Sequence, residues 1–176
     1  MNSNGAIEKI YQSFERYYTV STQNVEAPFV AEAVFKSHNE QYFLIKAAKV
    51  ADIDSNDFVF FYSDEDSSGS LENGSLSIEK ITELAQIAWK RGLSRISPYY
   101  GHRNTDVTLV ILSEKIDEKS IRQIKKINYY KSYKFGFYGW SSFRLLVYET
   151  STGRTVTNRR GSDLKKIVTQ SLAKAS

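Results

Sequence analysis

Residues 102–114 read HRNTDVTLVILSE, and the fold turns on them. Val107 to Leu112 is an apolar run of strand length with no polar residue alternating through it except Thr108. A strand of that kind is buried on both faces, so it predicts a central strand with other elements packed above and below. The segments on either side read as helices. Ile78, Ile81, Ala85, Ala88 and Trp89 fall on one helical face, Ser77 can accept from the free amides at its start, and Gly92 is placed to stop it. After the strand, Asp117 caps a short helix, Ile116 can staple onto Ile121, and Ile124 and Ile127 lie on the same side.

Outward toward the N-terminus, Ile7, Ile10, Tyr11 and Phe14 form the stripe of an amphipathic helix over about residues 5–18. The polar run Thr19 to Glu26 and Pro28 end it. Phe29 to Lys36 alternates with the period of a strand. Ser37 to Glu40 reads as a hairpin turn, Tyr42 to Val50 and Phe58 to Tyr62 as further strands, and Asp52 to Asp57 as turn material between them. Residues 63–77, SDEDSSGSLENGSLS, are rich in Ser, Gly and acid and predict a flexible loop. Toward the C-terminus, Tyr133 to Tyr138, Phe143 to Glu149 and Arg154 to Asn158 read as strands, with a turn at Ser151 to Gly153. Ser162 then opens a helix with Leu164, Ile167, Val168 and Leu172 inward. The expected order is α-βββ-α-β-α-βββ-α in one domain, residues 1–176: an α+β fold with helices on a largely antiparallel sheet.

Charge is segregated along this chain. Residues 1–89 carry 6 Lys+Arg against 14 Asp+Glu, net −8, whereas residues 90–176 carry 18 against 6, net +12, which together give the overall +4. Such a surplus concentrates molecules of opposite sign near the basic half. The hydrophobic share of 41% with 25% charged is a globular balance, so a packed core is expected throughout. Cysteine is absent, which excludes disulfides, thiolate catalysis and Cys-based metal centres. The first residues lack a basic segment followed by an apolar run, and no stretch of roughly 18 apolar residues occurs. A cytoplasmic location away from membranes is therefore expected.

The segments HRNTDVTLVILSE, KKINYYKSYKFGFYGWSSFRLLVYE and VTNRRG carry a resemblance. A His ahead of a Thr-bearing apolar strand, then Gly136, Gly139 and Trp140 in order, then Asn158 and Gly161, resemble an uncharacterised family of small prokaryotic domains. That family has no established activity, so the resemblance implies a prokaryotic, non-secreted protein and assigns no functional residue.

The aromatic and basic run Tyr129 to Arg144 (YYKSYKFGFYGWSSFR) supports two readings. In one, Lys131, Lys134 and Arg144 neutralise phosphates while exposed rings stack on unpaired bases. In the other, which packing favours, two strands meet at a glycine bend, Phe135, Phe137 and Phe143 enter the core, and Trp140 tucks under the sheet. Three further patterns are incomplete. Asp52, Asp54 and Asn56 have calcium-loop spacing, but Asp57 stands where Gly is required and Ser63 where Glu is required. Glu32 and Lys46 on strands suit a magnesium-dependent nuclease, yet no strand carries an Asp/Glu-x-Lys triplet. His38 lies in a turn, and His102, beside Tyr99, Tyr100, Arg103 and Asp106, is either an acid–base group or a hydrogen-bonded loop side chain.

No catalytic group, metal site or cofactor is expected from these patterns. The expectation is a non-enzymatic interaction domain whose basic half engages an acidic protein or a nucleic acid. Arg103, Lys131, Lys134, Arg144, Arg159 and Arg160 are the candidate cations, with Tyr130 and Trp140 as stacking or anchor groups. A metal-dependent nuclease is the alternative, and a self-associating, chaperone-like module that pairs acidic and basic halves is the third reading.

Overall fold

A computed structural model describes residues 3–36, 54–64, 74–100 and 102–173. In chain order these form α1 (Ser3–Glu15), β1 (Thr19–Ser21), β2 (Ala31–Lys36), β3 (Asp54–Ser63), α2 (Ile78–Ser94), β4 (His102–Ser113), α3 (Glu118–Ile124), β5 (Tyr130–Ser132), β6 (Trp140–Glu149), β7 (Arg154–Thr157) and α4 (Leu164–Ala173). The seven strands make one sheet in the order β1-β2-β3-β4-β6-β5, with β7 also paired to β6.

The sheet is mixed, which corrects the expected largely antiparallel arrangement. β3, β4 and β6 run parallel, while β1, β2, β5 and β7 are antiparallel to their neighbours. The reason lies in the connections. α2 stands between β3 and β4, and α3 between β4 and β6, and a helical crossover returns the chain to the end of the sheet where the previous strand began.

β4 is central, as expected, and its side chains divide by parity. Val107, Leu109 and Ile111 join Phe58, Phe60, Phe143, Leu145 and Val147 beneath α2 and α3. Val110 and Leu112 join Val59, Phe61, Leu146 and Tyr148 beneath α1 and α4, whose Ile10, Phe14, Leu164 and Val168 close that layer. α1 therefore buries the stripe its sequence predicts. α2 starts at Ser77, whose hydroxyl accepts from the Lys80 amide at 3.3 Å. Gly92 does not stop α2. The helix runs on to Ser94, and a Cβ on Gly92 would stand 2.5 Å from Val107, so glycine serves close helix–sheet packing there.

Several other expectations need correction. Asp54 to Asp57 belongs to β3 rather than to a turn, and Thr19–Ser21 forms a short strand. Ile167 on α4 is 37% exposed. Tyr133 to Tyr138 is not a strand but a tight loop containing a 3-10 turn, Lys134–Gly136. Consequently Phe135 and Phe137 are outside the core at 101% and 71% exposure, and Trp140, at 39%, is not under the sheet, whereas Phe143 is fully buried. The hairpin at Ser37 to Glu40 with His38, the strand Tyr42 to Val50 with Lys46, Asp52, and most of the loop 63–77 lie outside the described residues.

Asn158 closes a gap at the edge of β6. β5 pairs with Trp140–Ser142 and β7 with Leu146–Glu149, which leaves the middle of β6 without a strand neighbour on the side away from β4. The Asn158 side chain fills that gap. Its Nδ2 donates to the carbonyls of Phe143 (3.0 Å) and Ile127 (2.9 Å), and its Oδ1 accepts from the amides of Leu145 (3.0 Å) and Gly161 (2.9 Å). One amide side chain thus makes the bonds that a strand would supply, with both donors and both acceptor positions used.

Candidate functional site

The face of the sheet that carries α1 and α4 is apolar over only half its length. Toward the N-terminal ends of the parallel strands it turns polar, because Asp57, Asp106 and Ser142 are register partners across β3, β4 and β6. Phe35 extends the row on β2, and Tyr130 on β5. One residue pair further along the strands stand Thr108 and Arg144; in the other direction stand Asn104 and Trp140.

Asp57 is the buried centre of this row, with 7% of its surface exposed. The Tyr18 hydroxyl donates to its Oδ2 (2.7 Å), the Thr108 hydroxyl to its Oδ1 (2.9 Å), and Arg144 Nη1 lies 3.2 Å from Oδ2. Arg144 also reaches Asp163 through Nη2 (2.7 Å) and Asp106 at 3.8 Å, and the Ser142 hydroxyl donates to Asp106. Burial pushes the Asp57 carboxyl up to about 6; Arg144 and the two hydroxyl donors oppose the shift, and the Asp106 charge reinforces it. Burial works to lower the Arg144 pKa, but Asp57, Asp163 and Asp106 together raise it. The Tyr18 hydroxyl is pushed upward, first by burial and then by the Asp57 charge.

A carboxyl whose folded pKa lies above its unfolded value holds its proton more tightly when folded. Asp57 therefore subtracts stability as pH rises from about 4 to about 6, and the loss is complete above that range. The shift from 3.8 to about 6 corresponds to about 3 kcal/mol. Asp57→Asn, which keeps the shape and one acceptor, should flatten the stability profile over that window in urea denaturation at stepped pH. A parent profile already flat between those values would show that Asp57 is not held this way.

Beyond this buried network, the edge of the sheet is aromatic and basic. Lys134 and Phe135 both take left-handed backbone angles (φ 47° and 55°), followed by Gly136 at 92°, and this run turns the Phe135 ring outward. The loop is pinned from beneath. Gly139 packs so closely on the chain at His102 and Arg103 that a Cβ would lie 2.2 Å from the Arg103 carbonyl. His102 is buried, with Nδ1 3.0 Å from the Tyr138 carbonyl and Nε2 2.9 Å from the Thr105 hydroxyl. Nδ1 thus holds the loop, while Nε2 fixes the ring on β4.

The candidate cations divide in two. Arg103, Lys131, Lys134, Arg159 and Arg160 are exposed; Lys131 lies over the Tyr133 ring at 5.4 Å and Arg160 over the Tyr130 ring at 5.4 Å. Arg144, with 11% of its side chain exposed, is instead committed to three carboxylates, so its guanidinium is not presented to a partner. Tyr130 and Trp140 are both exposed, at 52% and 39%, and Tyr100 (80%) adds a third ring in contact with Tyr138. The network of Asp57, Tyr18, Thr108 and Asp163 is absent from the sequence expectations. Polar residues set directly before the apolar runs of β3 and β4 were its only trace, and the register that unites them cannot be read from either strand alone.

Glu32 is engaged elsewhere, paired with Arg95 (2.7 Å) and Arg91 (3.7 Å) on α2. Among the described residues no group of three or more His, Asp or Glu side chains is arranged to hold a metal ion. At the opposite end of β6, Glu149 lines a cleft with Lys115, Glu118, Thr152 and Arg154. Burial disfavours the Glu149 charge, but the Ile116 amide (2.8 Å), the Thr152 hydroxyl and Arg154 (3.1 Å) override it and hold the carboxyl below its usual range. That cleft is internally neutralised.

Residues 2–170 match the family described as a domain of unknown function, DUF8052, and the chain belongs to that family. No curated protein and no solved structure matches the chain. No helix among the described residues is long and apolar enough to cross a membrane.

Proposed function

We propose that this domain is a non-enzymatic, cytoplasmic interaction module whose aromatic and basic sheet edge engages an acidic partner. The observation that carries the reading is the position of the rings. Tyr100, Tyr130, Phe135, Phe137 and Trp140 are exposed in segments that meet at the N-terminal ends of β4 and β6, and exposed Arg103, Lys131 and Lys134 stand in the same segments. Large rings cost free energy in water, and aromatic side chains beside Arg are the composition of contact surfaces. Phe135 sits in a left-handed backbone conformation that non-glycine residues rarely adopt, and Phe137 follows it on the same loop.

Strand order adds a directional field. Sequence order follows spatial order from β1 to β4, so the strands of the acidic half lie on one side of the sheet and those of the basic half on the other. An acidic partner is steered to the basic side. Fluorescence polarisation with a labelled poly-glutamate peptide and with labelled oligonucleotides, each across a salt series, tests the reading. At least one polyanion should bind at low salt and weaken steeply as salt rises, and Lys131→Ala/Lys134→Ala should reduce binding. Absence of binding to every polyanion at low salt overturns it, since the electrostatic attraction is largest there.

A further inference from the structure

Resting on that reading, we propose that the acidic partner is single-stranded nucleic acid, its bases stacked on Trp140 and Tyr130 and one base amino group accepted by Asp106.

The register places these groups on one open surface. Ser132 pairs with Trp140 and Tyr130 pairs with Ser142, so the Trp140 and Tyr130 rings are diagonal neighbours on the same face of an antiparallel pair. Diagonal neighbours lie roughly 7 to 8 Å apart, close enough for adjacent bases of one strand to lie over the two rings. Arg160 lies over the Tyr130 ring, 5.4 Å from its centre, so a base stacking on that face displaces the guanidinium toward the phosphate backbone of the same strand. Lys131 and Lys134 continue the positive edge. Duplexes hide base faces within their stack, so a platform of rings selects unpaired strands.

Asp106 gives this platform a means of distinguishing bases. It lies next to Asn104 on β4, diagonal to Trp140 and level with Ser142, with about a quarter of its side chain exposed. An isolated carboxylate would repel a polyanion. Here the Ser142 hydroxyl donates to one oxygen and the Arg144 guanidinium lies 3.8 Å from the other, so the charge is offset and the side chain is fixed. A carboxylate held in this way only accepts, and the groups that donate on base edges are the amino groups of cytosine, adenine and guanine. Uracil and thymine carry no amino group, and their one imino N–H lies between two carbonyl oxygens that repel a carboxylate. The face should therefore favour amino-bearing bases.

The test is polarisation with labelled oligo(C), oligo(A) and oligo(U), as RNA and as DNA, with matching duplexes and poly-glutamate alongside. Single strands should bind more tightly than duplexes, and oligo(C) and oligo(A) more tightly than oligo(U). With phosphate contacts at Lys134 and Arg160, the slope of log K against log salt should be about −1.5. Trp140→Ala should weaken single-strand binding by about tenfold or more, as for loss of one stacked base. Its denaturation midpoint should match the parent, because the ring is exposed. Asp106→Asn should erase the preference for oligo(C) over oligo(U), because the amide both donates and accepts. Binding to poly-glutamate but to no oligonucleotide overturns this inference and leaves the broader reading standing; binding to none overturns both. Oligonucleotide binding unchanged in Trp140→Ala and Tyr130→Ala, or tightest for duplex, also overturns it, as does equal affinity for all three homopolymers.

Discussion

Asn158→Ala should cost about 4 kcal/mol of stability. The side chain satisfies four buried backbone groups: the Leu145 and Gly161 amides and the Phe143 and Ile127 carbonyls. Each buried group left without a partner costs about 1 to 3 kcal/mol, and Gly161 alone keeps a second bond, to the Asn158 carbonyl at 3.2 Å. Asn158→Asp separates this account from one of simple packing. It preserves volume and both acceptor bonds but turns a carboxylate oxygen toward two carbonyl oxygens, so it should destabilise at least as much as alanine at neutral pH. Acid should restore part of the loss, because protonation supplies one donor. Urea denaturation at two pH values reads both effects, and an Asn158→Asp variant as stable as the parent at neutral pH would refute the bonding scheme.

Arg144→Met should cost about 3 to 5 kcal/mol at neutral pH, the usual consequence of removing one partner from a buried ion pair. The stem volume is kept, so the loss reports the guanidinium. Asp57 is left with only hydroxyl donors and Asp106 with only Ser142. The penalty should shrink as pH falls toward about 6 and level off below it, because without Arg144 to oppose burial Asp57 takes up its proton at higher pH than in the parent and no longer needs a counter-charge. Asp163→Asn is the informative comparison. That carboxylate is 67% exposed, so its bond to Arg144 is screened by water and its loss should cost less than about 1 kcal/mol. Chemical denaturation from pH 5 to 8 for the two variants decides the matter. Equal, small losses at every pH would mean that Arg144 does not neutralise a buried charge.

Much of this architecture was legible in the sequence. The apolar run Val107 to Leu112 announced a central strand because nothing in it could face water, and Ser77 and Asp117 marked helix starts because an extended residue there can accept from an unpaired amide. The expected order of helices and strands holds in part: among the described residues the first trio of strands is Thr19–Ser21, Ala31–Lys36 and Asp54–Ser63 rather than the expected set, and Tyr130–Ser132 replaces the expected strand Tyr133 to Tyr138 in the last trio. Strand direction was less legible. It depends on where α2 and α3 return the chain, and side-chain periodicity is the same in parallel and antiparallel strands.

The stretch around Phe135 misled for a different reason. Phe135 and Phe137 alternate with smaller or polar neighbours as a half-buried strand would, and the core is the ordinary destination of phenylalanine. Consecutive left-handed residues at Lys134, Phe135 and Gly136 break that period, and only Gly136 advertises the conformation in the sequence. Asn158 and Gly161 were visible as a pair, yet their purpose depends on the gap between β5 and β7. The Asp57 network was invisible for the same reason, since its members lie on different elements joined only by register.

The measurement that bears most directly on the interaction surface is a two-dimensional amide NMR titration with a single-stranded oligonucleotide. Shifts should concentrate in Tyr99 to Asn104 and Tyr130 to Ser142, together with the Trp140 indole N–H, and should reverse on adding salt. Shifts centred instead on the Lys165 and Lys166 face of α4, or none at low salt, would contradict the assignment of the aromatic sheet edge as the site where this domain meets its partner.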